Sequence, residues 1–184
     1  VASPMTLADI AEIGTNVAQK IIQAAREAVD VGGFETGDVI LERRKTVAKL
    51  TTGSKALDEL LGGGLETQAI TEVYGDFGSG KTQLCHTLCC TCQLPLNKGG
   101  LGGNALYIDT ETTFRPERIR QISESRGMDA NEILQNIIIC RVLNSSHLEL
   151  IIKTLGKHIE KVKAKLLIVD SIISLHRAEF IGRG

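Results

Sequence analysis

Hydrophobic positions along this chain follow two rhythms, and the change from one to the other divides it. From Leu7 to Glu12, and again after Gly14, apolar residues recur at helical spacing, with Val17, Ile21, Ile22, Ala25, Ala28 and Val29 on one face of the second stretch. Gly14 turns the chain, Thr15 is placed to cap the second helix, and Gly32-Gly33 ends it. Phe34-Glu35-Thr36-Gly37 has no periodicity. The pattern therefore sets a small helical segment over residues 1–32, a linker over 33–45 and a larger unit over 46–184.

In the larger unit, short runs that are apolar throughout alternate with helical stretches. Ser54 caps a short helix with Leu57, Leu60 and Leu61 on one face, ended by Gly62-Gly63-Gly64. A strand is predicted over residues 69–74, a helix from Lys81 to about Leu94, and a strand over 105–109 after the glycine-rich connector 99–103. A helix over 115–126, a buried strand over 137–143, a helix over 146–163 and a strand over 165–170 follow. Strands without polar alternation are buried on both faces, so the prediction is α/β: a mainly parallel sheet flanked by helices and preceded by a small helical segment.

Chemistry enters where strands meet loops. Gly75-Asp76-Phe77-Gly78-Ser79-Gly80-Lys81-Thr82 lies between a predicted strand and a predicted helix and matches Gly-x-x-x-x-Gly-Lys-Thr, the Walker A pattern. The three glycines let the backbone wrap closely and turn successive N–H groups inward, and the helix that follows adds its N-terminal dipole. This arrangement binds a nucleoside triphosphate with Mg²⁺: Lys81 supplies charge between the β- and γ-phosphates, and the Thr82 hydroxyl holds the metal.

Two further strand ends agree. Leu166-Leu167-Ile168-Val169-Asp170 delivers an acid at the carboxyl end of an apolar strand, the edge that faces the phosphate loop in a parallel sheet. Asp170 can there hold Mg²⁺, often through water. Tyr107-Ile108-Asp109-Thr110-Glu111 brings more carboxylates to the same edge. On spacing alone Glu111 is either the acid that orients the attacking water or a solvated loop residue.

Bulk composition narrows the picture. Lys and Arg total 21 against 22 Asp and Glu, so a polyanionic partner would be met by a local patch rather than a global field. No apolar run is long enough to span a membrane, and no signal segment opens the chain. Of the five cysteines, Cys85, Cys89, Cys90 and Cys92 crowd into one predicted helix, where bridging geometry is poor and small apolar roles in a reducing cytosol are expected. Cys85, Cys89 and Cys92 beside His86 have a spacing that can be drawn as zinc ligation, but that face must pack on the sheet behind the phosphate loop. Arg43-Arg44-Lys45 reads as a solvated run.

The segments together resemble the RecA family of recombinases, in its archaeal RadA branch. The strings that carry this are residues 52–64 (TGSKALDELLGGG), 66–72 (ETQAITE), 78–84 (GSGKTQL), 107–111 (YIDTE), 114–118 (FRPER) and 181–184 (IGRG). The resemblance implies a RecA-like P-loop NTPase that uses ATP and Mg²⁺ and binds single- and double-stranded DNA. It also implies a homo-oligomeric filament promoting homologous pairing and strand exchange in DNA repair, in the cytoplasm with the nucleoid. It assigns catalytic roles to Glu111 and Lys81, metal contacts to Thr82 and Asp170, and nucleotide contacts to residues 75–82, to Gln83 and to Arg118, whose guanidinium would stack on the adenine. Arg177 and Arg183 would meet DNA phosphates in a first DNA-binding loop. The N-terminal stretch resembles half of a helix-hairpin-helix unit, with plain two-helix packing as the alternative.

Departures accompany the resemblance. Gly37 stands where the family's Phe-x-x-Ala linker motif has alanine, Ile173 where threonine is usual, and Leu175-His176-Arg177 where His-Phe-Arg is usual. A non-enzymatic paralogue using ATP binding as an assembly switch is the alternative function; Glu111 argues against it. A small-molecule kinase lacks an acceptor-binding segment. The chain opens at Val1 and stops among Arg183 and Gly184, so the reading expects a piece whose core is incomplete at its C-terminus, lacking the second DNA-binding loop and leaving a sheet edge open. The 184-residue chain alone is therefore expected to bind ATP poorly and to self-associate; a monodisperse sample with micromolar ATP affinity would contradict this.

Overall fold

A computed structural model describes residues 3–28 and 34–175. The chain forms two compact units, Val1–Thr46 and Val47–Gly184, each described by itself below.

In the first unit, α1 (Pro4–Ala11) is capped by the Ser3 side chain, which accepts from the Thr6 amide, and carries proline in its first turn. It packs on α2 (Thr15–Ala28), with Ala8 and Ala18 buried between them. Thr15 is the first helical residue rather than the cap: the Gly14 carbonyl accepts from Val17 and Ala18. The stretch expected to be a linker contains a further helix, α3 (Gly37–Arg44), with Asp38 in its first turn and Arg43 and Arg44 in its last. Those charges complement the helix dipole at both ends, and hydrophobic periodicity is too weak over eight residues to reveal it. Phe34, ahead of it, is fully exposed.

The second unit is α/β, as the strand–helix alternation predicts. Its core is a parallel three-stranded sheet in the order β4-β3-β5, from β3 (Asn104–Asp109), β4 (Ile137–Arg141) and β5 (Ala164–Asp170). One face is covered by α5 (Lys81–Thr91), α6 (Pro116–Ser125) and α7 (Ala130–Gln135), through a core that includes Leu88, Cys89, Tyr107, Ile119, Ile133 and Ile168. On the other, Leu148 of α8 (Ser145–Val162) joins Ile108, Val142 and Leu175. Leu175, one of the departures noted above, is thus a packing residue.

Ahead of the sheet, β1 (Lys49–Leu50) and β2 (Leu65–Glu66) pair antiparallel around α4 (Lys55–Leu60). Asp58 of α4 accepts from the Thr51 hydroxyl and, at 2.7 and 2.6 Å, from the Thr52 amide and hydroxyl, which locks the helix to the strand before it. Gly64 has φ of 120° and packs so closely that a Cβ would collide with the Leu50 carbonyl. The expected apolar face of α4 is not buried, since Leu60 and Leu61 are exposed.

The strand predicted over residues 69–74 does not form. Ile70 and Tyr74 are exposed, and neither outer edge of the three-stranded sheet, β4 or β5, takes this segment as a neighbour. Apolar alternation makes a strand only where a ladder partner satisfies its backbone groups.

The cysteines of α5 are free thiols that pack: Cys89, Cys90 and Cys92 are buried, and burial pushes Cys85 and Cys92 up to about 12 and Cys90 to about 11. Ile119, fully buried on α6, anchors the face behind the phosphate loop. Ile119→Ala is expected to cost about 2–5 kcal/mol, read as a lower urea midpoint at unchanged slope.

Candidate nucleotide and metal site

The phosphate loop feeds straight into α5. Gly80 precedes the helix at φ of 94°, with Gly78 at 79° and Gly75 at 158°, and no side chain caps the helix start. The first amides of α5 are thus left to the loop, where Lys81 and Thr82 open the helix. The Lys81 ammonium donates to the carbonyls of Gly75 and Asp76, both at 2.8 Å, and to the Ser79 hydroxyl at 3.4 Å. Residues 71–80 are exposed, and Phe77 projects fully into solvent.

Thr82 joins this loop to the sheet. Its hydroxyl donates to Asp170 Oδ2 at 2.8 Å, across 88 positions of sequence. The Tyr107 phenol donates to the same oxygen at 2.6 Å. Tyr107 is wholly buried and Asp170 only 8% exposed, so both partners of that bond lie out of bulk water. Burial, the bond to Asp170 and its negative charge together hold the phenol far above its ordinary pKa, so it remains a donor.

Parallel pairing sets Asp109 of β3 opposite Asp170 of β5. Asp109, 1% exposed, turns to its own loop: Oδ1 accepts from the Thr113 amide at 3.1 Å and Oδ2 from the Phe114 amide at 3.2 Å. The loop carrying Glu111 is tied down from the other side too. The Thr110 hydroxyl donates to the Ser171 carbonyl at 2.6 Å and accepts from the Ser171 amide at 2.8 Å. The Ser171 hydroxyl in turn donates to Glu111 Oε1 at 2.6 Å. Glu111 is exposed, yet held beside the end of β5.

Arg118 of α6 donates through Nε to Gln83 Oε1 at 2.5 Å and through Nη1 to Gln121 at 3.0 Å. Arg118, Gln83 and the start of α5 are thereby one neighbourhood. Behind it, His86 is buried, stacked near Tyr107 at 5.8 Å between ring centroids and edge-on to Phe114 at 5.1 Å. Burial pushes its imidazole below its usual range against the opposing pull of the Asp170 and Asp109 carboxylates.

Of the residues singled out from sequence, the structure gathers Lys81, Thr82, Asp170 and Glu111 at one edge, with Gln83 and Arg118 beside them. Arg177 and Arg183 lie outside the described residues. Sequence reasoning brought Asp109 to this edge as a carboxylate without giving it a role, and did not find Tyr107 or Ser171 as working parts. Tyr107 lay inside a strand, and Ser171 followed a carboxylate and carried no spacing signal of its own.

The donor chemistry suits Mg²⁺ with a polyphosphate. Thr82 and Asp170 offer hard oxygens, Mg²⁺ typically takes only one or two carboxylates alongside phosphate and water, and the helix start offers amides to an anion. Among the described residues no group of three or more His, Cys, Asp or Glu side chains could hold a metal by itself.

The sequence model of the Rad51 family matches residues 43–184. The chain belongs to the Rad51 family. It is also 48% identical, over 189 aligned positions covering all of this chain, to the DNA repair and recombination protein RadA of Cenarchaeum symbiosum (strain A). The chain spans about half the length of that relative, 48% of it. The second unit is accordingly a Rad51/RecA-like domain, with its phosphate loop, β3 and β5 at the site edge.

Asp109 is the residue on which the Glu111 loop turns. Asp109→Ala leaves the Thr113 and Phe114 amides without their acceptor. Their hydrogen exchange is expected to accelerate about tenfold or more, with about 1–3 kcal/mol of stability lost.

Proposed function

We propose that this chain carries the ATP site of a DNA recombinase that assembles as a homo-oligomeric filament on single-stranded DNA and promotes pairing and strand exchange with a duplex. Its place of action would be the cytoplasm, on chromosomal DNA. The observation that carries the reading is the Thr82–Asp170 contact of 2.8 Å, which unites the phosphate loop with an acid 88 residues away at a sheet edge where Glu111 is held by Ser171. Family membership and the likeness to an archaeal DNA repair and recombination protein support the same conclusion.

In this mechanism the amides of residues 75–82 and the Lys81 ammonium grip the triphosphate, once Lys81 gives up its loop carbonyls for phosphate oxygens. Thr82 and Asp170 would hold Mg²⁺, which would supply charge neutralisation to the triphosphate. Glu111 orients the water that attacks the γ-phosphate, and the Ser171 hydroxyl fixes which Glu111 oxygen is left to do so. Arg118 stacks its guanidinium on the adenine while Gln83 holds its Nε edge. The DNA contacts of Arg177 and Arg183 rest on the resemblance alone.

The test is ATP turnover by the full-length protein with and without single-stranded DNA. DNA-stimulated hydrolysis is expected, and Glu111→Gln is expected to lower it by a factor of about 10² to 10⁴ while ATP binding persists. Unchanged turnover in that variant removes Glu111 from the mechanism. Absence of hydrolysis in the unaltered protein favours the alternative, a paralogue that uses ATP binding as an assembly switch.

A further inference from the structure

We propose that Tyr107 is a positioning residue for the metal-holding carboxylate of Asp170. The inference rests on the reading above that Asp170 holds Mg²⁺, and extends it to a residue that touches neither nucleotide nor metal.

Position 107 is a fully buried site in the middle of the core that joins α5, β3 and α6. Packing there needs only an aromatic ring, and phenylalanine would supply it without a hydroxyl to satisfy. The tyrosine hydroxyl is satisfied once, by Asp170 Oδ2 at 2.6 Å, a distance typical of a charge-assisted bond. Its ring cannot swing away, because His86 lies along one side and Phe114 meets it edge-on at 5.1 Å. Neither His86 nitrogen has a hydrogen-bond partner among the described residues, so the imidazole does not divert the phenol proton.

Both donors to Asp170 converge on Oδ2, leaving Oδ1 without a donor among the described residues. The two donors are not equivalent. Thr82 is itself a proposed metal ligand, its oxygen lone pair serving the metal while its proton serves the carboxylate. The Tyr107 hydroxyl makes no other hydrogen bond among the described residues. It holds the acid in one orientation throughout, as hydrogen-bonded outer residues do for many metal ligands. The burial of a hydroxyl at position 107 thereby has a chemical explanation.

The experiment uses full-length protein with a non-hydrolysable ATP analogue and Mn²⁺ as a paramagnetic probe of the Mg²⁺ site, with binding read by electron paramagnetic resonance. Tyr107→Phe keeps the ring and is expected to weaken Mn²⁺ binding about tenfold, with nucleotide affinity in EDTA unchanged. Ile119→Ala weakens the same core from α6 but keeps the ring neighbours of Tyr107 and the phenol–carboxylate bond; it is expected to lower the melting temperature and leave Mn²⁺ affinity near that of the unaltered protein. Wild-type Mn²⁺ affinity in Tyr107→Phe, or equal weakening in Ile119→Ala, overturns the proposal. Asp170→Asn separates the two levels. Its loss of Mn²⁺ binding supports the metal role of Asp170, whereas retained binding removes that role and the proposal for Tyr107 with it.

Discussion

The register of β3 against β5 is the constraint on which the site depends. Parallel pairing sets Asp109 beside Asp170, two carboxylates on one face of the sheet with little access to water. Such a pair is costly unless each acid finds its own donors. Asp109 takes two backbone amides from the loop that follows it, and Asp170 takes two hydroxyls from neighbouring elements. One acid therefore shapes a loop and the other gathers the site.

The nature of those donors matters as much as their number. All four are neutral, and the Lys81 ammonium is directed to loop carbonyls. Neutral donors leave room at Asp170 for a divalent cation to be the first positive charge it meets. Had an arginine or lysine bridged the two acids, the same geometry would have been stable but spent. The buried aromatic group behind Asp170 adds rigidity, because His86, Tyr107 and Phe114 contact one another in three pairs.

Much of this was legible in the chain. The phosphate loop and Asp170 were expected from residue types at fixed places relative to strand ends, the role of Glu111 came from the resemblance, and the parallel sheet followed from apolar runs such as residues 165–170. What escaped was of two kinds. α3 and α7 are eight and six residues long, too short for periodicity to stand out, and α7 is signalled mainly by Asp129 capping the Asn131 and Glu132 amides. Tyr107 and Ser171 escaped because their partners, Asp170 and Glu111, lie far away in sequence, which a linear pattern does not name. A strand was expected over residues 69–74, but strand formation belongs to a pair of segments and not to one.

The failure of that segment to join the sheet has a mechanical meaning for the phosphate loop. On its far side the loop continues into α5, which is bolted to β5 through Thr82 and packed along its length. On its near side, residues 69–74 lie exposed, with no ladder holding them. The loop thus hangs between a firm anchor at Thr82 and an unladdered span that is next tied at Thr67, whose amide donates to the Ala48 carbonyl. A load at the phosphates passes by the shorter route through α5 into Asp170 and the core, and residues 69–74 carry the lesser share.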